Sequence, residues 1–383
     1  MTSAALPQRL VRWRRLFGSI EFTLVCLGLA MILVFFGTLA QVTMGTFGAQ
    51  RVFFNSWWLY FDALGIRIPI FPGGLSLGLL WAVNLIAAFF QRYRLEWRYA
   101  GIWMSHFGLL LLLLGQGLTQ TLARESQMAI PVGETRNYSE SLYDFELALL
   151  RTLDDTNDRV VSIPRSVFEG RRKLTLPEEP VQIQVRRYLP NARLRMATAD
   201  GASMATQGVG TRVSVQPAPV AASDDEQNNP SAFVEVFDGP KSLGIWLVSL
   251  GLGAPQAFTV QGKEYRLVLR PRRVVYPYSV TLKEFRHDRY PGTDIPKNFA
   301  SLVHLDHPAK NERRDTLIYM NHPLRYEGST FYQASFGEGD RLSILQVVQN
   351  PVWLTPYFSC ALVLLGLGVQ FGMRLRGFMG KKG

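Results

Sequence analysis

The stretch SIEFTLVCLGLAMILVFFGTLAQV, residues 19–42, decides the class of this fold. From about Ile20 to Val42 it is almost unbroken apolar sequence. At about 1.5 Å per helical residue it is long enough to cross a hydrocarbon core about 30 Å thick. A cleaved export signal would have a shorter apolar region and an A-x-A-like cleavage site. Thr38-Leu39-Ala40-Gln41 matches that poorly, so the stretch reads as an uncleaved spanning helix.

Three further runs have the same character. FPGGLSLGLLWAVNLIAAFF (71–90) opens on a Pro-Gly-Gly turn, and residues 101–122 contain HFGLLLLLLGQGL. VWLTPYFSCALVLLGLGVQFGM (352–373) places Pro356 near its start, where a helix tolerates it best. The flanks set an expected orientation. Arg9, Arg12, Arg14 and Arg15 precede the first span; Arg92, Arg94 and Arg98 lie between the second and third; Arg374, Arg376, Lys381 and Lys382 follow the fourth. The positive-inside rule then places 1–19, the short connection and the basic tail 374–383 in the cytoplasm, and residues 123–350 outside it. For a bacterium this means the inner membrane, with the large segment on the periplasmic side. The loop 44–70 contains FFNSWWLYFDALGI, and Trp57, Trp58 and Tyr60 read there as an aromatic interfacial belt or as part of a surface-packed helix.

Composition agrees with a membrane protein: 48% of the 383 residues are hydrophobic and the mean hydropathy is positive. The net charge of +11 comes with Lys and Arg that flank apolar runs, and no zinc module or basic-aromatic motif accompanies it, so nucleic acid is not an expected partner. The two cysteines, Cys26 and Cys360, both lie in apolar spans. That leaves the long polar segment without a disulfide framework, a CxxC pair or a thiolate metal site.

Between Ala123 and Asn350 the pattern changes to period-two alternation, as in VQIQVRRYL (181–189), YRLVLR (265–270), YSVTLKEF (278–285) and RLSILQVV (341–348). An antiparallel sandwich or open barrel is expected, carried by four transmembrane helices. Residues 197–231 are rich in Ala, Ser, Gly and Pro and nearly lack large apolar side chains. They read as a mobile insertion with room for one short strand around Thr211–Val215.

Five histidines are the candidates for chemistry. His106 stands apart because it lies inside the third span, roughly 7–8 Å from the start of that helix. An ionisable group at that depth is costly unless paired. Axial ligation of haem is one reading; a hydrogen bond to a neighbouring helix, or reach to the headgroups, is the other. His304 and His307 in VHLDHP would point to opposite faces of a strand, and no carboxylate cluster completes a metal site. His287 and His322 read as surface loop and turn residues. No nucleophile–base motif, P-loop or dinucleotide fingerprint is present, so an enzyme is not expected.

The layout, the SHFGLLLLLLGQG run of the third span and, most specifically, YMNHPLRYEGSTFYQASF (319–336) resemble the ResB (CcsB-type) family of cytochrome c biogenesis proteins. The core of the motif is N-x-P-L-x-Y-x-G-x-x-F-Y-Q, Asn321 to Gln333. The resemblance implies a subunit of the System II pathway that works with a CcsA/ResC-type membrane partner. Together the pair presents haem to apocytochrome c. It also implies that His106 is one axial ligand of a haem b held transiently between the two proteins. This chain lacks the partner's WGxxWxxD segment and has no cysteines in the exported segment, so complete synthase chemistry and direct thiol exchange are not expected of it alone. The motif also has a purely structural reading, with Asn321, Pro323 and Gly328 shaping turns and Phe331 and Tyr332 filling a core. A second reading of the whole chain is a membrane-anchored scaffold that recruits an exported client without touching haem.

Overall fold

The computed structural model describes residues 16–63, 66–92, 96–154, 157–170, 173–176, 178–197, 203–221, 228–293, 296–337 and 339–380. Arg9, Arg12, Arg14, Arg15, Arg94, Lys381 and Lys382, used above for orientation, lie outside these residues, as do parts of the 197–231 stretch. The chain divides into two units. One takes in residues up to Ala123 and from Asn350 onward, and the other holds Arg124–Ala221 and Glu226–Gln349.

The first unit contains four helices long and apolar enough to cross a membrane, which makes this a membrane protein. Helix α1 spans Ile20–Ala49, and its start is capped by Ser19, whose hydroxyl accepts from the Phe22 amide at 3.1 Å. The helix outruns the apolar stretch read from sequence. It kinks at Gly45, where φ is 68°, and passes into a π-helical turn at Gln50–Phe54. What reads as a loop over 44–70 is therefore a helix end followed by a hairpin, β1 (Trp58–Ala63) paired with β2 (Ile66–Pro72). Helix α2 (Gly74–Arg92) and helix α3 (Ala100–Leu122) follow. In α2 the buried Asn84 accepts from Thr23 at 2.8 Å and donates to the Phe17 carbonyl, which fixes α2 against the start of α1.

The second unit is antiparallel throughout its named ladders. Strands β3 (Arg124–Pro131), β4 (Thr135–Thr152) and β5 (Asp158–Pro164) lead, through a single helical turn at Arg165–Phe168, to β6 (Leu174–Thr175) and β7 (Val181–Leu189). The next strands are β8 (Ala192–Met196), β9 (Val213–Pro217), β10 (Ser231–Asp238), β11 (Lys241–Ser249) and β12 (Gln256–Val260). The long β13 (Lys263–Arg289) precedes β14 (Pro296–His307), β15 (Glu312–Tyr319), β16 (Leu324–Tyr326), β17 (Ser329–Gly337) and β18 (Leu342–Gln349). Helix α4 (Thr355–Met379) then closes the chain in the first unit and runs past the expected end of the fourth span.

Two cores share the long strands β4 and β13. In the first, the sheet β11-β10-β7-β6 lies over the first half of β13 and its neighbours β4, β5 and β12. Alternation drives this: Val181, Ile183 and Val185 point inward beside Val234, Val236, Leu267 and Leu269. In the second, the order β15-β14-β13-β4-β3-β18-β17-β16 curls into a nearly closed barrel around Val280, Leu282, Val303, Leu305, Phe331 and Leu345. A register break between Val275 and Val280 lets β13 pass from one core to the other. The buried Glu146 on β4 is neutralised across the ladder by Arg270 on β13 at 2.9 Å.

Within the stretch read as a mobile insertion, β9 pairs with β8, and Ala205 and Val213 pack with Phe233 and Leu247 into a small third core. The strand sits close to the position read from sequence. The packing does not follow from the composition of 197–231, because the apolar surface is supplied by β10 and β11 rather than by the insertion itself.

Candidate functional site

Helix α3 presents one face of very small residues. Gly101, Gly108 and Gly115 recur every seven residues, two helical turns, and stack on one side with Ser105 between them. That face lies against Thr355, Ser359, Val363, Gly366 and Gln370 of α4. A Cβ added at Gly108 would stand 2.7 Å from Val363 Cγ2, and one at Gly115 would stand 2.3 Å from Thr355 Cγ2. In lipid, where apolar burial gives little drive for association, such close backbone approach is what holds helices together.

His106 follows Ser105 directly and so lies off this seam. Its ring is half-buried, and the Phe89 ring of α2 lies 6.4 Å away, centroid to centroid. His106 Nδ1 is 2.9 Å from the Ile102 carbonyl oxygen, one turn earlier. A carbonyl only accepts, so Nδ1 is the donor in this contact. A backbone carbonyl that fixes the tautomer in this way is the usual support of a metal-ligating imidazole. The residues present fit one axial ligand to haem iron, an apolar helix surface with one oriented imidazole. Among the described residues no second histidine stands beside His106 in this arrangement.

Two polar atoms near this helix pair escaped the reading of the sequence. Trp103 Nε1 and Gln370 Oε1 are buried without a hydrogen-bond partner. Trp103 precedes His106 by three residues and is thus its neighbour on the helix surface. No motif marks either residue.

The remaining histidines have structural partners. His304 Nδ1 donates to Asp315 at 2.7 Å and is partly exposed, while His307, three residues on, is buried and donates to the Tyr326 hydroxyl at 2.8 Å. Among the described residues no group of His, Cys, Asp and Glu stands close enough to hold a metal ion. His322 lies in a turn and stacks on Tyr319 at 4.6 Å. His287 is not the surface-loop residue its neighbours FRHDRYPGTD suggest. Strand β13 continues through Arg289, its Nδ1 donates to Asp340 at 2.9 Å, and its ring is buried between Phe299 and Phe336.

The Asn321–Gln333 motif builds the second core. Asn321 is left-handed with φ of 62°, and Glu327 and Gly328, at 47° and 72°, make the β16–β17 turn. Phe331 is fully buried, and Gln333 accepts from Ser301 at 2.6 Å. Tyr332 does not fill the core with Phe331, because neighbours on a strand face opposite sides, and it is exposed.

Residues 244–348, from β11 to β18, match the ResB-like family. The ResB-like segment takes in the Asn321–Gln333 motif and most of the second core. Across 350 residues, 90% of its length, the chain is 26% identical to Protein NrfI of Wolinella succinogenes. It is 36% identical over 80 residues to the cytochrome c biogenesis protein CcsB of Picosynechococcus sp., and 32% identical over 106 residues to the protein of the same name from Prochlorococcus marinus. These matches cover 21% and 26% of the chain. The chain spans a third of NrfI, and the two CcsB matches span 17% and 24% of those proteins.

Proposed function

We propose that this chain is a subunit of a membrane complex for cytochrome c maturation, in which His106 supplies one axial ligand to a haem b shared with a CcsA/ResC-type partner. The names of its relatives support the maturation role, since two of them are cytochrome c biogenesis proteins. The single structural observation that carries the haem reading is the oriented imidazole, with Nδ1 held by the Ile102 carbonyl inside an apolar helix. Haem supplies the iron chemistry when bound. The chain's own part is to hold an imidazole lone pair at fixed orientation in an environment poor in water. In this reading the chain sits in the bacterial inner membrane, with termini in the cytoplasm and the β unit facing apocytochrome c on the periplasmic side.

The test is to purify the chain with and without its membrane partner and record visible spectra of wild type and His106→Ala. Haem is expected in the wild-type complex and weakly, if at all, in the isolated subunit, because one protein ligand leaves the sixth position open. Unchanged haem content in the His106→Ala complex would overturn the ligand assignment.

A further inference from the structure

The hairpin β1–β2 joins the end of the first spanning helix to the start of the second, and it is not a loose connection. The Gly73 amide donates to the Trp57 carbonyl at 2.8 Å, and the Ser76 hydroxyl donates to the same oxygen at 2.6 Å. The Leu75 amide donates to the Ser56 carbonyl, and Gln120 at the end of α3 donates to the Asn55 side chain. Gly73 and Gly74 press so closely on the turn before β1 that a Cβ would stand 2.2 Å from the Ser56 oxygen and 2.3 Å from the Phe54 oxygen. The base of the hairpin is thus clamped at the level where the spans end.

Its two faces differ. The register pairs Phe61 with Ile68 and Ala63 with Ile66 on one face, and Asp62 with Arg67 and Tyr60 with Pro69 on the other. Phe61, Ile66 and Ile68 are 59%, 65% and 45% exposed, and Ile70, at the bulge, is 61% exposed. On the opposite face Arg67 pairs with Asp62 at 3.4 Å and lies over the Tyr60 ring at 5.6 Å. Among the described residues both strands have open outer edges, since the sheet contains these two strands alone.

An open edge carries backbone N–H and C=O groups that hydrocarbon cannot satisfy, so the hairpin cannot lie in the bilayer core. An apolar face of three or four large side chains is equally ill placed in bulk water. We propose that the β1–β2 hairpin lies in the headgroup–acyl boundary of the bilayer as an amphipathic anchor for a phospholipid surface. Phe61, Ile66 and Ile68 face the acyl chains, and Tyr60, Asp62 and Arg67 face water. Three observations select lipid as the occupant. The apolar face is continuous in sequence with the lipid-exposed surfaces of α1 and α2, the exposed Trp57 and Trp58 stand at its base, and the polar face carries an ion pair that stays solvated. The aromatic belt read from sequence is thereby given a direction: Tyr60, on the polar face, is not the residue that dips toward lipid.

The proposal is tested on the unmodified full chain in phosphatidylcholine–phosphatidylglycerol nanodiscs by hydroxyl-radical footprinting. Phe61 and Tyr60 are neighbours of similar exposure, so lipid contact should protect Phe61 several-fold relative to Tyr60. Equal labelling of the two would overturn the proposal. A second arm uses Ile68→Cys and Arg67→Cys, each with a fluorescent label, in a background of Cys26→Ala and Cys360→Ser. The label at 68 should be quenched by shallow spin-labelled lipid and the label at 67 by aqueous iodide. Shielding of the label at 68 from both quenchers would show that protein, a second copy of the chain, covers this face, and would overturn the lipid assignment.

Discussion

Gly101 of α3 and Gly366 of α4 meet backbone to backbone: a Cβ added at Gly101 would stand 2.4 Å from the Gly366 carbonyl oxygen, and one at Gly366 would stand 2.6 Å from the Gly101 oxygen. Neither position can take a side chain without separating the helices. Gly366→Leu should therefore lower the stability of the helix pair by about 1–3 kcal/mol, the usual cost of overpacking. Gly117→Leu is the control, since open space surrounds that glycine. Thermal unfolding in detergent, followed by intrinsic tryptophan fluorescence, checks the difference. Equal midpoints for the two variants would refute the close seam.

His106 lies on the same helix but off this seam. If its imidazole is a ligand, His106→Gly should reduce haem retention in the complex roughly tenfold or more, since even outer-shell changes cost that much at metal sites. Added imidazole should restore the spectrum. A histidine that only hydrogen-bonds within its own helix would show no such rescue. Ser105→Ala, one position away, removes a hydroxyl that donates to the Gly101 carbonyl at 3.0 Å and should leave the spectrum unchanged.

Much of this was legible in the residues, for reasons that differ by element. The spans are long apolar runs, and the strands alternate cleanly, as at Val181, Ile183 and Val185. Both signals are local. What escaped is non-local. The β1–β2 hairpin has no polar/apolar alternation strong enough to mark it in WLYFDALGIRIPIFP, because a two-stranded ribbon at an interface buries neither face in protein. The small core around Val213 borrows its surface from Phe233 and Leu247, so composition within 197–231 could not reveal it. At the candidate site His106 was visible as an ionisable group in a span. The pairing of its Nδ1 with Ile102, and the buried atoms Trp103 Nε1 and Gln370 Oε1, depend on side-chain placement that no pattern encodes.

Three tyrosines make an alkaline signature of the β unit. Burial, reinforced by the Glu179 carboxylate, pushes the Tyr265 hydroxyl up to about 12. Burial likewise pushes Tyr278 up to about 12, and burial with the Glu312 carboxylate does the same for Tyr326. A raised folded value means that the unfolded chain ionises first, at the ordinary value of about 10. Stability is then fully present below about pH 10 and is lost as pH rises toward 12. Tyrosinate absorbance should show a late phase that coincides with loss of β-sheet circular dichroism. Tyr265→Phe should shrink that phase and shift the unfolding to higher pH.

The last prediction separates structure from recognition in the Asn321–Gln333 motif. The Tyr326 hydroxyl accepts from buried His307 Nδ1 at 2.8 Å and donates to Glu312 at 2.8 Å, so one oxygen satisfies two neighbours. Tyr326→Phe keeps the ring that packs at 5.0 Å on Tyr278 but leaves the His307 donor buried and unpaired. An orphaned buried donor costs about 1–3 kcal/mol, whereas Glu312, only partly buried, can rehydrate. Removing both partners of the inner bond, in His307→Phe with Tyr326→Phe, should recover part of the loss, because no polar group is then stranded. Tyr332→Phe, on the exposed face of β17, should fall within about 0.5 kcal/mol of wild type. Denaturant midpoints of the three variants decide the matter. A neutral Tyr326→Phe that still fails to support cytochrome c maturation would move this tyrosine from the core of the fold to the surface of a partner, and the structural account of the motif would have to be given up.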